Sequence, residues 1–177
     1  MLELFREKAE ALMAEVHSFS AKTEALEFIK TFLKEHSGAN RSGGVVWHNT
    51  SFLDDGEKEQ LSAELPWLSF EITPELAREA MIGINEADGA IAETGSLIEV
   101  SDDIKKRLAS TLPEIHISIL YTDLIHPDLK SAIKFLALSS HSYVAFISGP
   151  SRTADIERVL TIGVHGPERL VIVCVDR

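Results

Sequence analysis

Cysteine is nearly missing from this sequence: Cys174 is the single example in 177 residues. A lone thiol forms no internal disulfide and falls short of the roughly four thiolates that hold an iron–sulfur cluster. No cofactor is expected on this chain, and any electron carrier would belong to another protein. Positive charge is also in deficit, with 17 Lys and Arg against 28 Asp and Glu and a net charge of −11. That balance repels phosphate backbones and anionic lipid heads, which argues against nucleic acid and membrane surfaces as partners. Long apolar runs are missing too. The longest, such as Leu170 to Val175, are far below the roughly 20 residues that cross a hydrocarbon core, so no membrane span is expected. Residues Met1 to Val16 are charged throughout and lack the apolar centre of a secretory signal, so the expected location is cytoplasmic. The histidines at 17, 36, 48, 116, 126 and 141 show no His-Glu-x-x-His or similar ligand spacing, and no dedicated metal site is expected.

What is present suits one globular domain, since 45% hydrophobic content supplies a core for a chain of this size. Leu2, Phe5, Ala9, Leu12, Met13 and Val16 recur at helical spacing, and Ala25, Leu26, Ile29, Phe32 and Leu33 form a second stripe, with Ser20 or Thr23 as cap and Gly38 past the end. Residues 1–40 thus read as a helical segment packed on an α/β domain of residues 41–177. Val45 to His48 reads as a strand, Asp54-Asp55-Gly56 as a turn and Trp67 to Ile72 as a strand. Thr73-Pro74 opens a helix with Leu76, Ala77, Ala80, Met81 and Ile84 on its apolar face.

Beyond residue 88 apolar strands alternate with short helices. The strands read as Ala90 to Ala92 turning into Leu97 to Val100, then Ile115 to Tyr121, Tyr143 to Ser148 and Leu170 to Val175. The helices read as Asp103 to Leu112, Pro127 to Leu138 and Ala154 to Ile162. This alternation predicts an α/β fold with a mostly parallel sheet covered by helices on both faces. In such a sheet the strands' C-terminal ends share one edge, where ligands bind; Glu93, Asp123 and Gly149 to Thr153 are expected there, and His165 at the opposite edge.

Three segments carry candidate chemistry. In Gly149-Pro150-Ser151-Arg152-Thr153 a glycine turn leads from an apolar strand toward a helix, whose start offers free N–H groups beside the hydroxyls of Ser151 and Thr153 and the guanidinium of Arg152. Phosphate or carboxylate would fit such a cradle; equally, Ser151 or Thr153 would cap the helix, with Asp155 and Glu157 answering its dipole. In Ala92-Glu93-Thr94-Gly95-Ser96 a carboxylate ends a small-residue strand, which makes Glu93 a candidate base or nucleophile, with Thr94 and Gly95 beside it, or else a turn residue accepting backbone N–H groups. Gly163-Val164-His165-Gly166-Pro167 reads as a helix stop, with His165 as either a structural or a ligand residue.

In this order and at these spacings the three segments resemble the lactate-utilization (LUD) domain family over residues 85 to 176. The resemblance implies the fold type shared by sugar-phosphate isomerases and CoA transferases. It further implies a part in bacterial L-lactate oxidation to pyruvate alongside partner proteins that include iron–sulfur subunits. Ser96 stands where relatives commonly carry threonine. Glu93-Thr94-Gly95 is loosely similar to the glutamate loop with which CoA transferases attack thioesters. Three readings stay open: an accessory component binding a small carboxylate, a phosphate or a partner subunit; a free-standing transferase or isomerase using Glu93; and a structural subunit.

Overall fold

The computed structural model describes residues 1–37, 43–136, 141, 143–153, 161–162 and 166–177. The chain runs α1 (Leu2–Ala11), β1 (Glu15–Phe19), α2 (Lys22–His36), β2 (Gly44–Trp47), α3 (Asp55–Glu64), β3 (Leu68–Ser69), α4 (Pro74–Glu79) and β4 (Ala80–Glu86). It continues through β5 (Gly89–Ile91), β6 (Ser96–Val100), α5 (Ile104–Thr111), β7 (Ile115–Tyr121), a 3₁₀ turn (Thr122–Leu124) and β8 (Ile125–His126). Then come α6 (Leu129–Leu136), β9 (Val144–Ile147), β10 (Arg152–Thr153), β11 (Thr161–Ile162) and β12 (Arg169–Val175).

Six of these strands form an all-parallel sheet in the order β1-β12-β7-β4-β2-β3. The α/β class with helices on both faces is what the alternation of apolar strands and helices predicts. Alternate side chains sort to opposite faces, as pleating requires. Ile82, Ile84, Ile115, Ile117, Ile119, Val171, Val173 and Val175 pack with Ala25, Ile29, Phe32 and Leu33 of α2 and Leu61 of α3. On the other face Leu120, Leu170, Ile172 and Cys174 meet Phe5 and Ala9 of α1 and Ala90 and Leu97 of β5 and β6. Farther along, Val46 meets Ala77 of α4 and Ala109 of α5. Burial pushes the Cys174 thiol up to about 12, consistent with a small core residue.

Several local expectations are corrected. The first helix stops at Ala11, because Met13 takes a positive φ of 69° and turns the chain into β1, where Val16 pairs with Ile172 of β12. The first 40 residues therefore supply an edge strand of the sheet as well as helices. Ala21, not Ser20 or Thr23, stands at the start of α2, and Gly38 lies outside the described residues. Asp54 is a helix cap rather than a turn residue: its Oδ1 accepts the Glu57 N–H at 2.8 Å and Glu57 Oε2 accepts the Asp54 N–H at 2.9 Å, opening α3. Thr73 caps α4 as expected, but the helix ends at Glu79, and Ala80, Met81 and Ile84 lie in the central strand β4. A short apolar run satisfies either period, and pairing with β2 and β7 on both sides selects the strand.

The strands read as continuing one parallel sheet divide instead between two. A second, four-stranded sheet has the order β8-β5-β6-β9, with β6 antiparallel to both β5 and β9. One face turns Ala90 and Leu97 to the main sheet, and the other turns Ile91 and Ile98 to Ala132 and Leu136 of α6.

Candidate functional site

Assignment of β9 to the second sheet decides where the glycine turn goes. Antiparallel pairing sets Leu97 opposite Ile147, so Ser96 and Ser148 lie side by side with their hydroxyls 2.7 Å apart. Thr94 Oγ1 donates to Ser96 Oγ at 2.9 Å. Beyond the turn the Ser151 N–H donates to Pro167 O at 2.8 Å, and Gly166 lies directly against the Ser151 side chain. Ser96 of one motif segment, Gly149 to Ser151 of the second, and Gly166 and Pro167 of the third thus meet at one place.

That place is the end of the main sheet where β7 and β12 begin. Gly149 to Thr153 therefore do not share an edge with Asp123, which follows β7 at the other end and pairs with Arg177 at 3.3 Å. No helix starts at Ser151 to Thr153 either. Arg152 and Thr153 pair antiparallel with Ile162 and Thr161, so residues expected at both ends of the helix Ala154 to Ile162 are β-paired. Residues 154–160 and His165 lie outside the described residues. Arg152 is exposed, and its Nη2 reaches Ser148 O at 3.5 Å. Glu93 is exposed and separate from this place: its Oε1 accepts the Leu129 N–H at 3.2 Å at the start of α6, beside Asp128, Lys130 and Lys134.

The two motif glycines have a structural reason. Gly95 and Gly149 carry φ values of 66° and 80°, the left-handed region that favours glycine. Both lie under α1 and its exit: a Cβ at Gly95 would stand 2.3 Å from Ala9 N, and one at Gly149 would stand 2.3 Å from Leu12 O. The N-terminal helix rests on both turns.

A cleft of about 290 Å³ opens beside them, lined by Ser148, Gly149, Pro150, Ser151, Gly166 and Pro167 from the motifs. This is near the small end of ligand-binding cavities. Its other lining comes from residues that no motif marks. Glu99, only 3% exposed, accepts the Asn85 Nδ2–H at 2.6 Å on Oε2, and the Ser101 and Ser110 hydroxyls on Oε1. Asn85 Oδ1 then faces His116 Nε2 at 2.9 Å, and since that oxygen only accepts, the histidine proton sits on Nε2. Burial pushes the His116 pKa down to about 3, so its ring is neutral at ordinary pH. Gly83 makes room beside this chain of bonds, because a Cβ there would stand 1.9 Å from Ala109 O of α5.

Arg107 completes the cleft. Its guanidinium lies 4.4 Å over the Tyr143 ring, and no carboxylate pairs with it among the described residues. Phe146, Ile147 and Leu170 add an apolar wall. Because Glu99 is committed to three protein donors, the guanidinium and the serine hydroxyls are the groups that meet an incoming molecule, and together they suit a small carboxylate. Only the His116 member left a signal in the sequence: in Ile115-His116-Ile117-Ser118-Ile119 every second residue is polar, in a strand that the structure buries on both faces.

Comparison with known proteins gives a consistent result. The LUD domain model matches residues 2–175. Lactate utilization protein C 1 of Bacillus mycoides (strain KBAB4) is 40% identical over 106 residues, 56% of this chain and 45% of that protein. Lactate utilization protein C of Exiguobacterium sp. (strain ATCC BAA-1283 / AT1b) is 40% identical over 111 residues, 59% and 48% of the two chains. The matched stretch thus spans about half the length of these two relatives. Lactate utilization protein C of Geobacillus sp. (strain WCH70) is 32% identical over 192 residues, 97% of this chain and 79% of that one. Among solved structures, a DUF162 family protein from Deinococcus radiodurans shares the fold, with a TM-score of 0.67 at 22% identity, covering 98% of this chain and 95% of the other.

Proposed function

The chain belongs to the LUD domain family, and from that premise we propose that it serves lactate utilization as a component without redox chemistry of its own in the oxidation of L-lactate to pyruvate. Its cleft receives the small carboxylate, and iron–sulfur clusters reside on partner subunits. The observation that carries this reading is the meeting of Gly149 to Ser151 with Gly166 and Pro167 in the lining of one cleft, where Arg107 has no carboxylate partner among the described residues. The carboxylate lies against the Arg107 guanidinium, within reach of the Ser148 and Ser151 hydroxyls. Lactate as the substrate follows from the relatives, which are lactate utilization proteins.

Isothermal titration with L-lactate and with pyruvate tests the reading. At least one gives saturable heat with the unmodified protein, and Arg107→Ala removes it while Arg152→Ala has the smaller effect. Absence of binding by both acids, or binding indifferent to Arg107→Ala, overturns the carboxylate cleft. Affinity purification from cells grown on lactate tests the partners: iron–sulfur proteins should be recovered with the chain.

A further inference from the structure

The main sheet has a second cleft at its opposite end, where β4, β7 and β12 finish, with a volume of about 280 Å³. In parallel α/β sheets this is the edge at which ligands bind. Its donors and acceptors decide what fits. Glu86 is 5% exposed and looks at first like a free carboxylate, yet Oε1 accepts the N–H groups of Thr50 and Ser51 at 2.6 and 2.8 Å, and Oε2 accepts the Ser51 hydroxyl at 2.7 Å. Asp88 Oδ2 accepts the Val100 N–H at 2.7 Å and Lys106 Nζ at 2.6 Å. Glu86 is taken up by protein donors on both oxygens, and Asp88 on Oδ2, where it holds the Lys106 ion pair.

The basic groups are each paired once and keep further donors. Lys106 is 5% exposed, and among the described residues its ammonium gives one of its three N–H bonds to Asp88 and has no other acceptor. Arg177 lies 4.2 Å over the Tyr121 ring and gives Nη1 to Asp123, leaving its remaining N–H groups without a protein acceptor among the described residues. Leu124 and Phe135 supply an apolar wall. The N–H groups left over on Lys106 and Arg177 therefore stand next to apolar surface.

We propose that this cleft binds a small organic anion, a carboxylate or a phosphate monoester with a short apolar body, whose head engages Lys106 and Arg177 and whose body lies on Leu124 and Phe135. The site is separate from the Arg107 cleft and does not depend on the lactate reading.

Isothermal titration with butyrate, n-butyl phosphate and the neutral butyramide tests it. One or both anions bind and butyramide does not; which anion binds identifies the head group. Arg177→Ala, a change at an exposed side chain, weakens that binding by about tenfold, the effect of losing one charged hydrogen bond. Lys106→Gln, with circular dichroism as the check on folding, abolishes it, and Arg107→Ala leaves it unchanged. The proposal is overturned if neither anion binds, if butyramide binds equally, if Arg177→Ala has no effect, or if Arg107→Ala removes the binding. Should Lys106→Gln fail to fold, Arg177→Ala and Arg107→Ala decide the question alone.

Discussion

Gly95 lies so close under Ala9 that a Cβ at position 95 would stand 2.3 Å from the Ala9 backbone nitrogen. The contact joins the first helix to the turn that carries Glu93, and Gly149 repeats it against Leu12 O. Two glycines that look in the sequence like parts of a ligand loop are seats for α1.

Gly95→Ala is accordingly expected to cost about 2–4 kcal/mol, since it combines a disfavoured positive φ with a clash against backbone that cannot step aside. Urea denaturation measures the loss. Limited proteolysis should then cut near Leu12 and Met13, where the wild-type protein resists.

Asn85 bonds His116 on one side and Glu99 on the other. Asn85→Ala strands a buried N–H and a buried carboxylate oxygen together, and a cost of about 2–4 kcal/mol is expected from the two unpaired groups. Chemical denaturation checks it. Ser110→Ala, which leaves Glu99 its bonds from Asn85 and Ser101, should cost less.

His116 makes stability depend on pH. Its pKa falls from 6.5 in the unfolded chain to about 3 in the folded one, so between those values the unfolded state binds the extra proton. The contribution is fully present above pH 6.5 and is lost as pH falls toward 3, at a slope of at most about 1.4 kcal/mol per pH unit. Lowered carboxylates start from 3.8 at Asp103 and Asp128 and from 4.5 at Glu15, Glu64 and Glu75, so the histidine dominates the interval from pH 6.5 to about 5.5. There His116→Gln, which retains a donor for Asn85 but does not titrate, should flatten the dependence of unfolding free energy on pH.

Asp54 and Glu57 satisfy each other's backbone N–H groups at the start of α3. Asp54→Ala should cost about 1 kcal/mol, read as a lower denaturation midpoint with unchanged slope.

Local pattern was enough for a good part of the architecture. The β-branched runs of β7 and β12, the Thr73-Pro74 helix start, the stripe of α2 and the LUD motifs are all properties of neighbouring residues, and they are legible without coordinates. What only the tertiary structure decided depends on partners distant in the chain. β9 could enter either sheet on its own composition, and pairing with β6 sent Gly149 to the end of the main sheet opposite Asp123. Ala80 to Glu86 satisfies a helical stripe until β2 and β7 flank it. The two-stranded ribbon at Arg152 likewise needs Thr161 and Ile162 to form. Asn85, Glu99 and His116 come from three separate strands, so nothing in their spacing announces that they form one buried chain of hydrogen bonds. The sequence by itself determined the class of fold, the family and the glycines at the two turns; tertiary pairing and burial decided what those glycines touch and which polar groups line the cleft. The physical reason is that backbone propensity acts between near neighbours, while β-pairing and burial are settled by which distant surfaces fit.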